Sequence, residues 1–171
     1  MIQIVKADIS HAETLANIGK TTFLDAHGHS APKKDIDMYT IKNYTTEAVI
    51  KELSQPEYIY HILYYNNVIA GYSKIVMNSP NENVTTPNIT KLDRIYFLKE
   101  FYGLGLSKTL FDFNLELSKK QHQKGIWLAV WVENSRAVNF YTKIGFSIVG
   151  VYNFKVSETH SNPNHIMYLE Y

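Results

Sequence analysis

The segment "GIWLAVWV", residues 125–132, constrains this chain more than any other. It is far short of the ~18 apolar residues of a membrane span. It is also too short and too apolar for a solvent-facing helix. It reads as a strand buried on both faces, and such a strand needs a sheet with helices packed over it. Helical patterns stand on both sides of it. Leu106, Leu110, Phe113 and Leu117 recur at helical spacing, which predicts an amphipathic helix over about 104–122. "NSRAVNFYTKIG" (134–145) predicts a second helix, ended by Gly145 in the C′ position.

The remaining elements fill in a sheet. "IQIVKA" (2–7), "YIYHILYY" (58–65), "VIAGYSKIVMN" (68–78), "ITKLDRIYFL" (89–98), "FSIVGVYNFKV" (146–156) and "HIMYLEY" (165–171) read as strands. Asn66-Asn67 between two of them predicts a hairpin turn. A helix is expected after the first strand, with Ser10 as its N-cap and Glu13 completing a capping box. One or two more helices are expected over "APKKDIDMYTIKNYTTEAVIKELSQ", with Thr46 as a cap. The class is α+β: a mixed sheet with helices on both faces, in a single domain over 1–171.

Cysteine is absent, which excludes disulfides, zinc–thiolate sites and a cysteine nucleophile. The start, "MIQIVKADIS", has no apolar run of signal-peptide length, so a soluble cytoplasmic protein is the expectation, with no membrane partner. A net charge of +1 argues against nucleic acid as a partner. The charge is unevenly spread. Residues 1–60 carry six basic and eight acidic residues, whereas residues 91–146 carry nine and five. The later half is the better host for an anionic ligand. The seven histidines are scattered; His27 and His29 bracket Gly28 without further metal ligands nearby, so no metal site is expected and both read as surface or substrate-loop residues.

"KEFYGLGLSKTLFDF" (99–113) places two glycines between a strand and a helix. The first turn of a helix has unpaired N–H groups and a partial positive charge, which suit a phosphate. Gly103 and Gly105 would let the backbone approach closely, and Ser107 and Lys108 could add a hydroxyl and a cation. The stretch matches neither the P-loop nor the dinucleotide G-x-G-x-x-G pattern. On its own it fits a phosphate loop or a structural turn equally well.

Taken in order, "LDRIYF", "FYGLGLSKTL", "IWLAVWVENS" and "RAVNFYTKIGF" resemble the acetyl-coenzyme A-dependent N-acetyltransferase superfamily, the GNAT proteins. The family's loop pattern, Gln/Arg-x-x-Gly-x-Gly/Ala, falls on Tyr102, Gly103, Leu104, Gly105, Leu106 and Ser107. Its first position departs, with Tyr102 in place of Gln or Arg. The segment Asn-x-x-Ala-x-x-Phe-Tyr-x-x-x-Gly-Phe stands as Asn134, Ala137, Phe140, Tyr141, Gly145 and Phe146. The resemblance is good over about 89–150. It implies the GNAT fold, a mostly antiparallel sheet of six to seven strands with two central parallel strands splayed apart.

The resemblance also implies roles. The pantetheine arm of acetyl-CoA, the cosubstrate, would pair with Ile95, Tyr96 and Phe97, and a backbone N–H, that of Phe97, would meet the developing oxyanion. The pyrophosphate would meet residues 103–108. Asn134 and Lys143 join the implied cofactor set. Tyr141 matches the family's general acid, for a phenol of pKa ~10 can protonate a leaving thiolate whose thiol has pKa ~8.5. Asp93 is the candidate base or amine anchor, with Glu133 behind it. Trp127 and Trp131 share one strand face and read as core or cofactor-flank packing. Residues 21–53 with "IWLAVWVENSRAVNFYTKIGF" look similar to PaiA-type spermidine/spermine N-acetyltransferases. That resemblance implies a polyamine acceptor, with Asp25, Asp35 and Asp37 as contacts. The alternatives are another small amine, a protein N-terminus, or a non-catalytic acyl-CoA-binding protein. Exposed strand edges make a homodimer a further expectation.

Overall fold

The computed structural model describes all 171 residues. The chain runs β1 (Ile2–Lys6), α1 (Ala12–His27), α2 (Lys33–Asn43), α3 (Thr46–Leu53), β2 (Tyr58–Tyr65), β3 (Val68–Val76) and β4 (Thr90–Phe97). It continues through α4 (Leu106–Lys120), β5 (Gly125–Trp131), α5 (Ser135–Ile144), β6 (Ser147–Lys155) and β7 (Ser161–Glu170). All seven strands form one sheet in the order β1-β2-β3-β4-β5-β7-β6. Every neighbouring pair is antiparallel except β4 and β5, which are parallel. This is the α+β GNAT fold expected from the sequence, with helices on both faces. None of its helices is long and apolar enough to cross a membrane.

The two faces have separate cores. On the first, Leu15 and Ile18 of α1 and Val49 of α3 pack against Tyr60, Ile62 and Tyr72. On the second, Phe111 of α4 and Tyr141 of α5 pack with Ile75, Leu92, Ile126, Leu128 and Met167. Alternation along β2 and β3 divides the residues between the faces. Phe111, Ile126 and Met167 are wholly buried, and each such side chain contributes about 1.5–3 kcal/mol. Asn66 and Asn67 turn the β2–β3 hairpin with φ of 49° and 65°, the two positive angles a tight hairpin asks for.

Four expectations need correction. The chain enters α1 through a 3-10 turn (Ile9–His11) capped by Asp8, whose carboxylate accepts from the Ser10 N–H, so Ser10 is not the cap. Thr45, one residue before the expected cap, accepts from the Ala48 N–H at α3. β7 begins at Ser161 because it pairs with β6 from Lys155↔Ser161 onward; Pro163 is accommodated within that strand. His27 is the last residue of α1, not a surface loop residue.

The feature that positions the site is a failure of pairing. β4 and β5 meet only at Thr90↔Ile126 and Lys91↔Trp127, although both strands run on. The cause lies on the other edge of β4. Lys74 of β3 pairs with Arg94 and Ile75 with Leu92, so Asp93 is an extra, unpaired residue. Such a bulge bends its strand and adds twist. β4 therefore keeps its partner β3 and leaves β5, opening a gap through the sheet.

Candidate active site in the splay between β4 and β5

The gap is a cleft of about 970 Å³, floored by the ends of β4 and β5 and walled by α1, α2 and the start of α5. Its edge on β4 offers free backbone groups. Leu98 donates its N–H to the Ala70 carbonyl at 2.9 Å. By strand alternation, Phe97 and Ile95 therefore point their N–H groups away from β3 and into the gap.

The loop 99–105 and the start of α4 form one end. Gly103 and Gly105 adopt φ of 83° and 73°, and a Cβ built on either would meet nothing within 4 Å. Both glycines are required by their left-handed conformation, and the space above them is open. The backbone N–H groups of residues 103–107 donate to no protein acceptor, whereas Lys108 and Thr109 donate back to the Gly105 carbonyl at 3.1 and 3.2 Å. Five successive free donors at a helix N-terminus fit the pyrophosphate of a nucleotide-type cofactor. Leu106, 2% exposed, anchors the loop by packing against Phe97 and Leu110. Lys108 is held by Asp112 at 2.6 Å, one turn further along the helix.

Across the mouth, α5 begins at Asn134, whose side-chain oxygen accepts from the Ala137 N–H at 3.2 Å. The cap fixes the first turn of α5 and puts Arg136 over the Tyr102 ring, 4.0 Å from its centroid. Tyr102 thus neither points away nor fills the core; it carries a guanidinium above the loop. Tyr141 lines the cleft one turn deeper and is 7% exposed. Burial pushes its phenol above the usual tyrosine value, and no neighbouring charge or hydrogen bond offsets that rise. The hydroxyl therefore stays protonated near neutral pH and can serve as a donor.

The other end of the cleft lies on the α1 face. Phe23, His27, Tyr39 and Tyr44 line it with Tyr96 and Phe154. His27 Nε2 lies 3.2 Å from the Tyr96 hydroxyl. Burial pushes the His27 imidazole down to about 4, with His29 adding to the fall, so the ring is neutral near pH 7.

Beneath the aromatic walls is a buried ion cluster. Asp93 contacts Lys91 at 2.6 Å and Lys74 at 3.1 Å. Glu52, from the end of α3, reaches Lys74 at 3.2 Å and accepts from Arg94 at 3.2 and 3.3 Å. The Tyr60 hydroxyl donates to Glu52 and accepts from Arg94 Nη1 at 2.8 Å. Burial alone would raise the Asp93 carboxyl, but the Lys74, Lys91 and Arg94 cations outweigh it and hold the group well below the carboxylate range. A carboxylate so stabilised is a weak base. Asp93, the candidate base or amine anchor, thus stands as an ion-paired carboxylate in the cleft lining.

Of the sequence-derived candidates, Asp25, Asp93, Ile95, Tyr96, Phe97, Tyr102, Ser107, Asn134 and Tyr141 line one cleft. Gly103, Leu104, Gly105, Leu106 and Lys108 make the loop and helix start at its edge. Three candidates are not brought in. Asp35 and Asp37 lie on α2 outside the cleft, where Asp37 binds Lys33 at 2.5 Å. Lys143 is exposed in the last turn of α5 and does not line the cleft. Asp25 lines the cleft but is paired with Lys99 at 2.7 Å. Glu133 lines it too, exposed at the rim. Sequence reading missed Arg94 in the cleft lining and Lys74 in the ion cluster behind it. Their signal was a charged residue inside each of two apolar strands, "GYSKIV" and "LDRIYF".

Comparison with known proteins agrees with this architecture. The profile of the Acetyltransferase (GNAT) family matches residues 21–146. An uncharacterised N-acetyltransferase from the pepI 3′ region of Lactobacillus delbrueckii subsp. lactis is 27% identical over 146 residues, covering 85% of this chain and 84% of the relative. The crystal structure of the PaiA N-acetyltransferase from Thermoplasma acidophilum in complex with coenzyme A superposes with a TM-score of 0.78 at 20% identity, covering 100% of this chain and 99% of that one. The ribosomal-protein-S18-alanine N-acetyltransferase of Escherichia coli superposes at 0.71 with 16% identity, over 99% and 94% of the two chains. With the splayed parallel pair and the free donors of the glycine loop in place, the chain belongs to the GNAT family and is an acetyl-CoA-dependent N-acetyltransferase.

Proposed function

We propose that this protein moves the acetyl group of acetyl-CoA to the primary amine of a small acceptor by direct attack, with Tyr141 as general acid. The observation that carries the proposal is the convergence of the free Ile95 and Phe97 N–H groups and the Tyr141 hydroxyl on one cleft, with the five free donors of residues 103–107 at its edge. Acetyl-CoA supplies the activated acyl group as a thioester. The N–H groups of 103–107 and the Ser107 hydroxyl hold its pyrophosphate. Arg136, parked on Tyr102, adds the side-chain N–H donors that the family pattern takes from the Gln or Arg at the loop's first position. Asn134, already engaged as a cap through its oxygen, keeps its amide N–H groups for the pantetheine arm. The Phe97 N–H faces the thioester carbonyl and stabilises the oxyanion. Tyr141 then gives its proton to the sulfur as the C–S bond breaks, and the proton shed by the acylated nitrogen restores the phenol through solvent.

The amine must arrive neutral. Neither Asp93 nor His27 is a strong base here, and the cation-rich floor of the cleft disfavours an ammonium, so the proton leaves to solvent at the open mouth. A polyamine is the acceptor that the resemblance to PaiA-type enzymes suggests. Its support is limited to Asp25 and the exposed rim carboxylates of Glu82 and Glu133, since Asp35 and Asp37 face elsewhere. The free edge of β6, where Ile148 and Val151 are exposed, supports pairing of two copies, which sedimentation would check.

Turnover of acetyl-CoA with an amine panel that includes spermidine, with Tyr141→Phe as comparison, tests the reading. Loss of a general acid is expected to lower kcat by about 100-fold or more, with the KM for acetyl-CoA and the melting temperature near wild type. Unimpaired turnover in Tyr141→Phe removes Tyr141 as the acid. Binding of coenzyme A without turnover of any amine favours an acyl-CoA-binding role.

A further inference from the structure

The acceptor end of the cleft is not built for a polycation. Three cations, Lys74, Lys91 and Arg94, share two carboxylates, Glu52 and Asp93. The cluster therefore carries one uncompensated positive charge. It is also well shielded, with the side chains of Lys74 and Arg94 only 6% and 12% exposed. Charge in such a place is screened far less than charge at the rim, so the exposed Glu82 and Glu133 do not cancel it. Excess charge of one sign beneath a cleft invites a ligand of the other.

Arg94 has unused capacity for that ligand. Nη1 donates to Glu52 and Tyr60, and Nη2 donates once to Glu52. Nε lies 3.9 Å from Asp93, too far for a hydrogen bond. That leaves the Nε–H and one Nη2–H without acceptors, on a residue that lines the cleft. The bulge at Asp93 is what turns Asp93 and Arg94 to the same face as Lys74. Lys91, 31% exposed, adds a second cation at the cleft wall. Above them lie Phe23, Tyr39, Tyr44 and Phe154, a wall suited to an apolar or aromatic body.

From this arrangement we infer that the acceptor amine carries an anionic group, a carboxylate or a phosphate, which binds Arg94 and Lys91 while the amine reaches the thioester. The inference rests on the acetyltransferase reading and narrows its substrate to amino-acid-like or phosphorylated amines. The anion brings the buried cluster to neutrality, and the cluster in turn keeps a polyamine out of the deep cleft. A guanidinium fork holds a carboxylate or phosphate by two hydrogen bonds and so fixes the direction in which the amine points.

Matched pairs test it in the wild-type enzyme. The acids are L-phenylalanine, other α-amino acids and 2-aminoethyl phosphate; their partners are the corresponding amino-acid amides and ethanolamine, with spermidine alongside. Acetylation rates are compared per neutral amine, and binding to the protein–coenzyme A complex is followed by calorimetry. Charge-assisted hydrogen bonds to the anion predict an advantage of about 10- to 100-fold for at least one acid over its uncharged partner. The carboxylate and phosphate arms show which anion is preferred. Lys91→Met, which removes the surplus charge at a partly exposed position, is expected to shrink that ratio with the fold retained. Arg94→Lys keeps the charge, loses the fork, and is expected to raise the KM of the acid far more than that of its amide. Equal or better use of spermidine or the amides overturns the inference and leaves the acetyltransferase reading standing. Acids that bind with no amine acetylated reverse that outcome. An acid series that neither binds nor reacts overturns the inference.

Discussion

Gly105→Ala separates the two demands that the loop places on one residue. Gly105 has φ of 73° and ψ of 1° as the N-cap of α4, a conformation that costs an L-residue about 1–2 kcal/mol. Its new Cβ would meet nothing within 4 Å, so no clash adds to the strain. For a chain of this length that cost lowers Tm by roughly 2–8 °C. The same methyl group would stand in the open space over the free N–H groups of 103–107. A pyrophosphate pushed off by a methyl loses one or two charge-assisted hydrogen bonds, each about 1.5–3 kcal/mol. Affinity for coenzyme A should therefore fall by about tenfold at the least. Gly145→Ala is the control. That residue has φ of 111° at the opposite end of α5 and should lose stability alone. The assay is calorimetric binding of coenzyme A beside thermal melting for both variants. If Gly105→Ala binds coenzyme A as tightly as Gly145→Ala does, the loop does not hold the pyrophosphate.

Two further outcomes follow from the buried charges. Glu52→Gln leaves Lys74 and Arg94 short of a counter-ion in a site they cannot leave, and should destabilise the fold by about 3–5 kcal/mol in chemical denaturation. His61, 3% exposed with its Nδ1 unpartnered, is pushed by burial down to about 4 from 6.5, as His27 is. Between those values the unfolded chain binds protons that the folded one refuses, so stability should fall as pH drops from about 6.5 to about 4. His61→Leu should flatten that slope, measured as the urea midpoint at pH 7.5 and 4.5, whatever it does to the midpoint itself.

The parts of this molecule that were legible in the sequence are those written in local patterns. Strands such as 58–65 and 125–131 have bulky, apolar runs that nothing else accommodates, and the Asn66-Asn67 turn and the Gly145 stop are backbone demands that only certain residues meet. The glycine-loop end of the cleft was legible for the same reason: its residues lie within one continuous stretch, from Ile95 to Tyr141. The opposite end, on the α1 face, was not. It is lined from α1, α2 and β4 and backed by an ion cluster that only the fold assembles from Glu52, Tyr60, Lys74 and Arg94. Asp35 and Asp37 lie outside the cleft because α2 buries Ile36 and Thr40 and leaves those carboxylates on another side of the helix. No composition count registers which side of a helix is covered.

The extra residue at Asp93 links the two ends. In a strictly alternating strand, Asp93 and Arg94 would project to opposite faces, and one charge would be driven into the core of Leu92, Phe111 and Met167. The bulge relieves that conflict by putting both on the α1 face, where Lys74 and Glu52 neutralise much of their charge. The same distortion pulls β4 off β5 beyond Lys91 and frees the Ile95 and Phe97 N–H groups. A substitution that let β4 run straight would thus close the gap between β4 and β5 and scatter the ion cluster together. The gap and the ion cluster lie side by side because one residue is left without a partner in the ladder.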